Sequence, residues 1–219
     1  MKILSVNVGD IEMLETKRGL VQSAIRKKPV DNSCRVNVNK NGLEHDQHAD
    51  KVFHGGVNSA VYIYPSEHYP YWCELLGRTD LGSGFLGENL TTVGIDEKSA
   101  CIGDQLLIGS AVLVVRSPRL PCFKLVGLTG NPSAASFMLN SGKTGIYLSV
   151  LQIGDIGRGD EIKIIYKDPK RIPVLSFVQA MMSSNMPELM QPLLMHEELP
   201  LDRKSLLKKR VLDRYDGEV

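Results

Sequence analysis

The chain has 219 residues, 42% hydrophobic and 23% charged, which is ordinary globular usage and excludes a wholly disordered or collagen-like chain. Lys plus Arg number 26 against 25 for Asp plus Glu, so no global field draws the chain onto nucleic acid or an anionic membrane. The longest purely aliphatic run, residues 111–115, is far short of the roughly 20 residues that cross a bilayer, and residues 1–9 break their apolar positions with Lys2, Ser5 and Asn7, unlike a signal peptide. These features describe a soluble, cytoplasmic protein that binds neither nucleic acid nor membrane.

In chain order, residues 2–8 alternate apolar and polar positions and predict a strand. Residues 35–38 predict a second, followed by the turn signal Asn41-Gly42, and residues 60–64 a third. Residues 105–108 and 111–116 predict a hairpin across Gly109-Ser110, and residues 145–153 and 161–166 two further strands. Helices are predicted over 67–76, where Pro70 pushes the regular part toward the C-terminal half, and over 133–139, where Asn131-Pro132 caps and then opens the helix. Past Asp168-Pro169 the period changes: Val174, Phe177, Val178 and Met181, then Leu189, Leu193 and Leu194, then Leu206, Leu207 and Val211 sit at helical spacing, with Pro187 and Pro200 between the groups. The expected fold is mainly β in an α+β chain: a barrel or rolled sheet over 1–167 and a three-helix module over 168–219 that is too small to hold a core alone.

Four cysteines, Cys34, Cys73, Cys101 and Cys122, are spread without a C-x-x-C pair, so a structural zinc site is not indicated. Cys122 stands out. Pro118 and Pro121 limit the backbone before it, and Arg119 and Lys124 flank it with cations that favour a thiolate. A buried, inert cysteine at a strand end is the competing reading. Gly55-Gly56 after His54 suits close backbone approach to an anion; His45, His48 and His54 with Asp46 and Asp50 form a weaker metal-ligand alternative. The glycine-rich run 82–90 ends in Glu88-Asn89, Lys143 stands between Gly142 and Gly145, and Arg26-Lys27-Lys28 gathers three cations. Together these residues describe one thiol among Lys, Arg, His and Asn on glycine-rich loops, a pocket for an anionic cofactor.

The ordered segments Gly42-Leu43-Glu44, His54-Gly55-Gly56, Tyr64-Pro65, Gly87-Glu88-Asn89-Leu90, Gly103-Asp104, Pro118-Arg119-x-Pro121-Cys122-Phe123-Lys124-Leu125 and Gly142-Lys143-x-Gly145 resemble the MOSC domain, named after the C-terminal part of molybdenum cofactor sulfurases. The likeness is to the stand-alone bacterial branch with a C-terminal three-helix extension. The chain departs from that pattern at His45, where glycine is common, and at Ser59, where a basic residue is common. The resemblance implies a MOSC-type β-barrel and a molybdenum cofactor of the molybdopterin type, or the pyranopterin phosphate alone. It implies Cys122 as the molybdenum ligand with Lys27 and His54 as catalytic neighbours, and Arg119, Asn89, Lys143, Gly55 and Gly56 as cofactor-binding residues. It also implies reduction of small N-hydroxylated compounds (amidoximes, hydroxylamino bases) with electrons from a separate donor protein, and a homodimer is a further expectation. The alternatives are a sulfur carrier or transferase working through a Cys122 persulfide, and a non-catalytic carrier of the cofactor.

Overall fold

The computed structural model describes residues 1–49, 56–183 and 187–215. The first strands are β1 (Lys2–Val8), β2 (Glu12–Thr16), β3 (Gly19–Ser23), β4 (Lys28–Pro29), β5 (Arg35–Asn39) and β6 (Gly42–Leu43). There follow β7 (Val61–Pro65), α1 (Tyr69–Leu76), β8 (Leu90–Val93), β9 (Gln105–Ile108) and β10 (Ala111–Pro118). Next come α2 (Phe123–Thr129), α3 (Ala134–Ser141), β11 (Ile146–Gln152), β12 (Gly154–Gly157) and β13 (Ile162–Tyr166). The C-terminal helices are α4 (Val174–Met182), α5 (Pro187–Leu194) and α6 (Leu201–Tyr215). Pro70 sits in the first turn of α1, where its missing N–H costs nothing, and residues 66–68 before it form a 3₁₀ turn.

One eight-stranded sheet runs in the order β13-β9-β10-β11-β7-β8-β1-β4, antiparallel throughout except between β7 and β8. The expected hairpin joins β9 to β10, with Ala111 opposite Ile108. Gly109 takes φ +59° at the first turn position, which a type II′ turn requires. The expected closed barrel is corrected: no ladder joins the two ends of the sheet. Lys2 makes a single bridge to Glu161, backed by Ile162 N–H donating to the Met1 carbonyl at 3.0 Å. β1 gives one edge to β8 and the C-terminal end of its other edge to β4, so only its first residues are left to reach the β13 side. Sheet and helices otherwise match the mainly β, α+β expectation.

β7 is buried along its whole length and divides two apolar cores. Side chains alternate across a strand, so Val61 and Ile63 join one cluster while Tyr62 and Tyr64 join the other. The first cluster includes Ile3, Leu106, Leu113 and Ile146 and continues without a break into Phe177, Leu193 and Leu207 of the C-terminal helices. The apolar stripes read from the sequence are therefore spent on the sheet. The second cluster packs Tyr62 and Tyr64 against Trp72, Leu86, Leu125 and Met138. Among the described residues, no helix is long and apolar enough to cross a membrane.

Candidate functional site

Between β3 and β4 the chain crosses residues 24–27 without regular structure, and three glycines let other segments press against it. A Cβ on Gly9 would lie 2.6 Å from the Ala24 carbonyl oxygen, one on Gly84 2.8 Å from that of Lys27, and one on Gly87 2.8 Å from the Ile25 side chain. Gly84 and Gly87 also hold φ of +85° and +83°, which side chains rarely adopt. Glu88 organises the loop that carries these two glycines. Its fully buried carboxylate accepts the Gly84 N–H at 2.7 Å, the Leu86 N–H at 3.1 Å, the Thr91 hydroxyl at 2.7 Å and the Tyr69 hydroxyl. The glycine-rich run 82–90 is thus a clamp on the strand connection that carries Lys27. Burial pushes the Glu88 carboxyl above its ordinary value.

Lys27 reaches a cavity of about 100 Å³ together with Asn89, Arg119, Cys122, Lys124 and Tyr62. That volume is a few water molecules' worth, so the cavity receives the polar end of a ligand and not a whole drug-sized molecule. Behind the wall lies Asp46, whose side chain has no solvent exposure. Its Oδ1 accepts the Lys27 ammonium and the Gly9 N–H at 2.8 Å; its Oδ2 accepts the Asn89 amide at 2.8 Å and lies 4.0 Å from His48 Nε2. Burial lowers the Lys27 pKa, Asp46 and Glu88 oppose that, and Arg119 adds to it. The Asn89 side chain is turned to the protein: its Oδ1 accepts the Tyr62 N–H at 3.0 Å, and its Nδ2 serves Asp46 and, at 3.4 Å, the Asn7 carbonyl.

Across the cavity, β10 ends at Pro118, and the Arg119 N–H donates to the Gly145 carbonyl at 3.3 Å. The Arg119 guanidinium is 5% exposed and lies 5.1 Å from the Tyr62 ring centre, and its Nη1 is buried with no hydrogen-bond partner. Burial works against its charge, while Tyr62, Tyr147 and Cys122 hold its pKa above the ordinary arginine value. Tyr62 stays neutral, its phenol pushed well up by burial, and donates to the Thr144 carbonyl at 2.8 Å. Cys122 is half-buried, in no disulfide, and is the extended residue just before α2. Lys124, only 8% exposed, lines the same cavity, and its side chain has no hydrogen bond or ion pair among the described residues. Two buried cations with unused donors therefore flank one thiol, an arrangement that takes an anion or a soft metal with anionic ligands.

Of the residues singled out in the sequence, Lys27, Arg119, Asn89 and Cys122 line this cavity. His54 and Gly55 lie outside the described residues, as does Asp50. Gly56, with φ +94°, opens the short 3₁₀ turn Val57–Ser59, whose Ser59 lines the cavity. Lys143 is elsewhere: its Nζ lies 3.5 Å from His68 Nδ1 and 5.8 Å from the Tyr71 ring centre. There His68 Nε2 meets Glu97 Oε2 at 2.8 Å, and Glu97 Oε1 accepts the Gly145 N–H. Of the histidine metal alternative, His54 and Asp50 lie outside the described residues, while His45 is 80% exposed at its side chain and His48 Nε2 stands 4.0 Å from Asp46 Oδ2. His45 also holds φ +65°, the left-handed region that explains why glycine suits that position. Sequence reasoning missed Asp46 as the partner of Lys27 and Asn89; the charge run beside Lys27 gives no hint of which distant acid answers it.

The family model of the MOSC domain matches residues 50–163, and the YflK protein of Bacillus subtilis is 37% identical over 172 residues, 78% of this chain and 76% of its own length. A reductase of Gibberella moniliformis is 35% identical over 170 residues, 76% of this chain, and the chain spans only 30% of that protein's length. The crystal structure of YiiM from Geobacillus stearothermophilus superposes with a TM-score of 0.77 at 29% identity, covering 96% of this chain and 98% of that one. With its open mixed sheet, its C-terminal helices and the cavity at Cys122, the chain belongs to the MOSC domain family.

Proposed function

We propose that this protein is a cytoplasmic molybdenum-cofactor-dependent oxidoreductase that reduces small N-hydroxylated compounds, with Cys122 as the thiolate ligand of the metal. The observation that carries the proposal is the pair of buried cations with unused donors, Arg119 and Lys124, on either side of that thiol at one cavity. The donor set fits the group: a soft thiolate for molybdenum, and two cations for the anionic end of a pterin. When bound, the molybdenum supplies the two-electron chemistry, and the protein supplies placement and electrostatics. Arg119 and Lys124 hold the phosphate or another anionic oxygen of the cofactor. Lys27 offers its ammonium from the opposite wall. Asn89 shapes that wall from behind through Asp46 and Tyr62, and Lys143 supports the Gly145 turn beneath Arg119. His54 is the further catalytic residue of this reading and Gly55 and Gly56 its further cofactor-binding residues; of the three, Gly56 is described, at the start of the Val57–Ser59 turn whose Ser59 lines the cavity. The name of the fungal relative, a reductase, agrees with this class of reaction. Electrons come from a separate donor protein, and the working unit is a homodimer.

The test is the molybdenum content of protein made in a cofactor-competent host, read by elemental mass spectrometry for wild type and Cys122→Ser together. About one molybdenum per chain in wild type and none in the variant is the expected result for a thiolate-ligated metal. No molybdenum in either protein, with cyanide-labile sulfur that disappears in Cys122→Ser, would replace this reading with that of a sulfur carrier.

A further inference from the structure

The cavity's cations are not equivalent. Among the described residues Arg119 and Lys124 have no acidic partner, whereas Lys27 is matched by Asp46 immediately behind it. The Asp46 carboxylate is wholly buried, and three of its contacts are hydrogen bonds, to Gly9, Lys27 and Asn89. An ammonium has three donors, and among the described residues Asp46 is the one hydrogen-bond partner of the Lys27 ammonium. The other charged groups acting on Lys27 are Glu88, itself saturated with donors, and Arg119 across the cavity.

We infer that Asp46 is a positioning residue that makes Lys27 one half of a neutral pair, so that Lys27 serves as a hydrogen-bond donor to an uncharged oxygen or nitrogen of the ligand while Arg119 and Lys124 take its anionic group. The pair is fixed in place because Asn89, through the other carboxylate oxygen, ties Asp46 to the edge of β7. The cavity then selects a ligand that carries an anionic end and a separate neutral acceptor such as an N-hydroxyl oxygen. This rests on the reading of the cavity as an anion site, and it names which cation does not serve that anion.

The experiment measures inorganic phosphate binding to the full chain, purified without cofactor, by calorimetry at fixed low ionic strength. Arg119→Met should weaken phosphate binding by about tenfold or more, the loss of a charge-assisted contact. Asp46→Asn removes the neutralising charge and should tighten it, by on the order of tenfold. Lys27→Met leaves Asp46 unmatched and should weaken it. The double variant Lys27→Met/Asp46→Asn removes the pair as a unit and should return the affinity to within about twofold of wild type. The ammonium of Lys27 is followed in parallel by NMR on ¹³C-lysine-labelled protein, assigned with Lys27→Arg, and its titration should move in Asp46→Asn. If the double variant loses phosphate binding as Arg119→Met does, Lys27 is itself an anion ligand and the inference fails while the anion site stands. If Arg119→Met changes nothing, the anion site fails as well. A Lys27 titration unmoved in a folded Asp46→Asn protein would reduce Asp46 to a structural brace.

Discussion

The Lys27 wall and the Lys143 cluster are built from the same kinds of residue and do opposite things. In the first, a lysine meets a buried carboxylate, a histidine stands 4.0 Å from that carboxylate, and a tyrosine closes the side; in the second, Lys143, Glu97, His68 and Tyr71 repeat the set. What separates them is empty space. Lys27 borders a cavity that also holds a thiol and two cations with unused donors, whereas Lys143 is stacked near an aromatic ring and a histidine, and its cluster's carboxylate is occupied by the Gly145 backbone. Composition and adjacency alone do not make a site; an unused donor facing a void does.

Four variants break or sharpen this comparison. The largest effect belongs to Asp46→Asn, which leaves Lys27 a buried charge without its partner and should cost about 3 kcal/mol of stability in denaturant unfolding. Glu97→Gln in the closed cluster should cost less, about 1–2 kcal/mol, because the amide oxygen can still accept the Gly145 N–H. Equal losses at the two positions would erase the contrast. The next effect is one of pH. Burial depresses the Lys27 pKa, so between its native value and the unfolded lysine value the unfolded chain binds more protons, and stability rises with pH across that alkaline window. Chemical denaturation from pH 8 upward should show a positive slope that flattens in Lys27→Met; an unchanged slope in the variant would mean another group is responsible. The smallest effect is that of Lys143→Met, which should leave phosphate affinity within about twofold of wild type, since it meets Tyr71 and His68 and acts on Arg119 only indirectly, through the Gly145 turn. A tenfold loss there would bring Lys143 back to the cavity.

Much of the sheet was legible because its strands announce themselves. β1 and the β9–β10 hairpin follow their alternation and their Gly-Ser turn, and the three C-terminal helices follow their apolar spacing and the prolines between them. The β2–β3 hairpin escaped because it buries one face only: Leu14 packs inward while Met13 and Leu20 stay exposed, so its pattern does not rise above that of a loop. α2 escaped because Pro118 and Pro121 suggested an extended segment, and the helix starts one residue past Cys122. At the site, Cys122 and Arg119 were readable from their unusual neighbours. Asp46 was not, because its meaning depends on Lys27, 19 residues away, and Asn89, 43 residues away, which only the closed fold brings together. Lys143 misled for the converse reason: two flanking glycines look like an open loop, and here Gly145 is demanded by the Tyr62 and Tyr64 rings, which a Cβ would meet at 2.5 and 2.8 Å.

The single bridge between Lys2 and Glu161 has a consequence for how the chain comes together in time. Those residues are separated by nearly the whole sheet-forming sequence, and neighbouring strands such as β1 with β8 and β7 with β11 are also distant along the chain. Such pairings require long loops to close before they are rewarded, so the protein belongs among slow folders, with local hairpins such as β9–β10 expected before the seam. A refolding trace dominated by sub-millisecond kinetics would contradict that order of events.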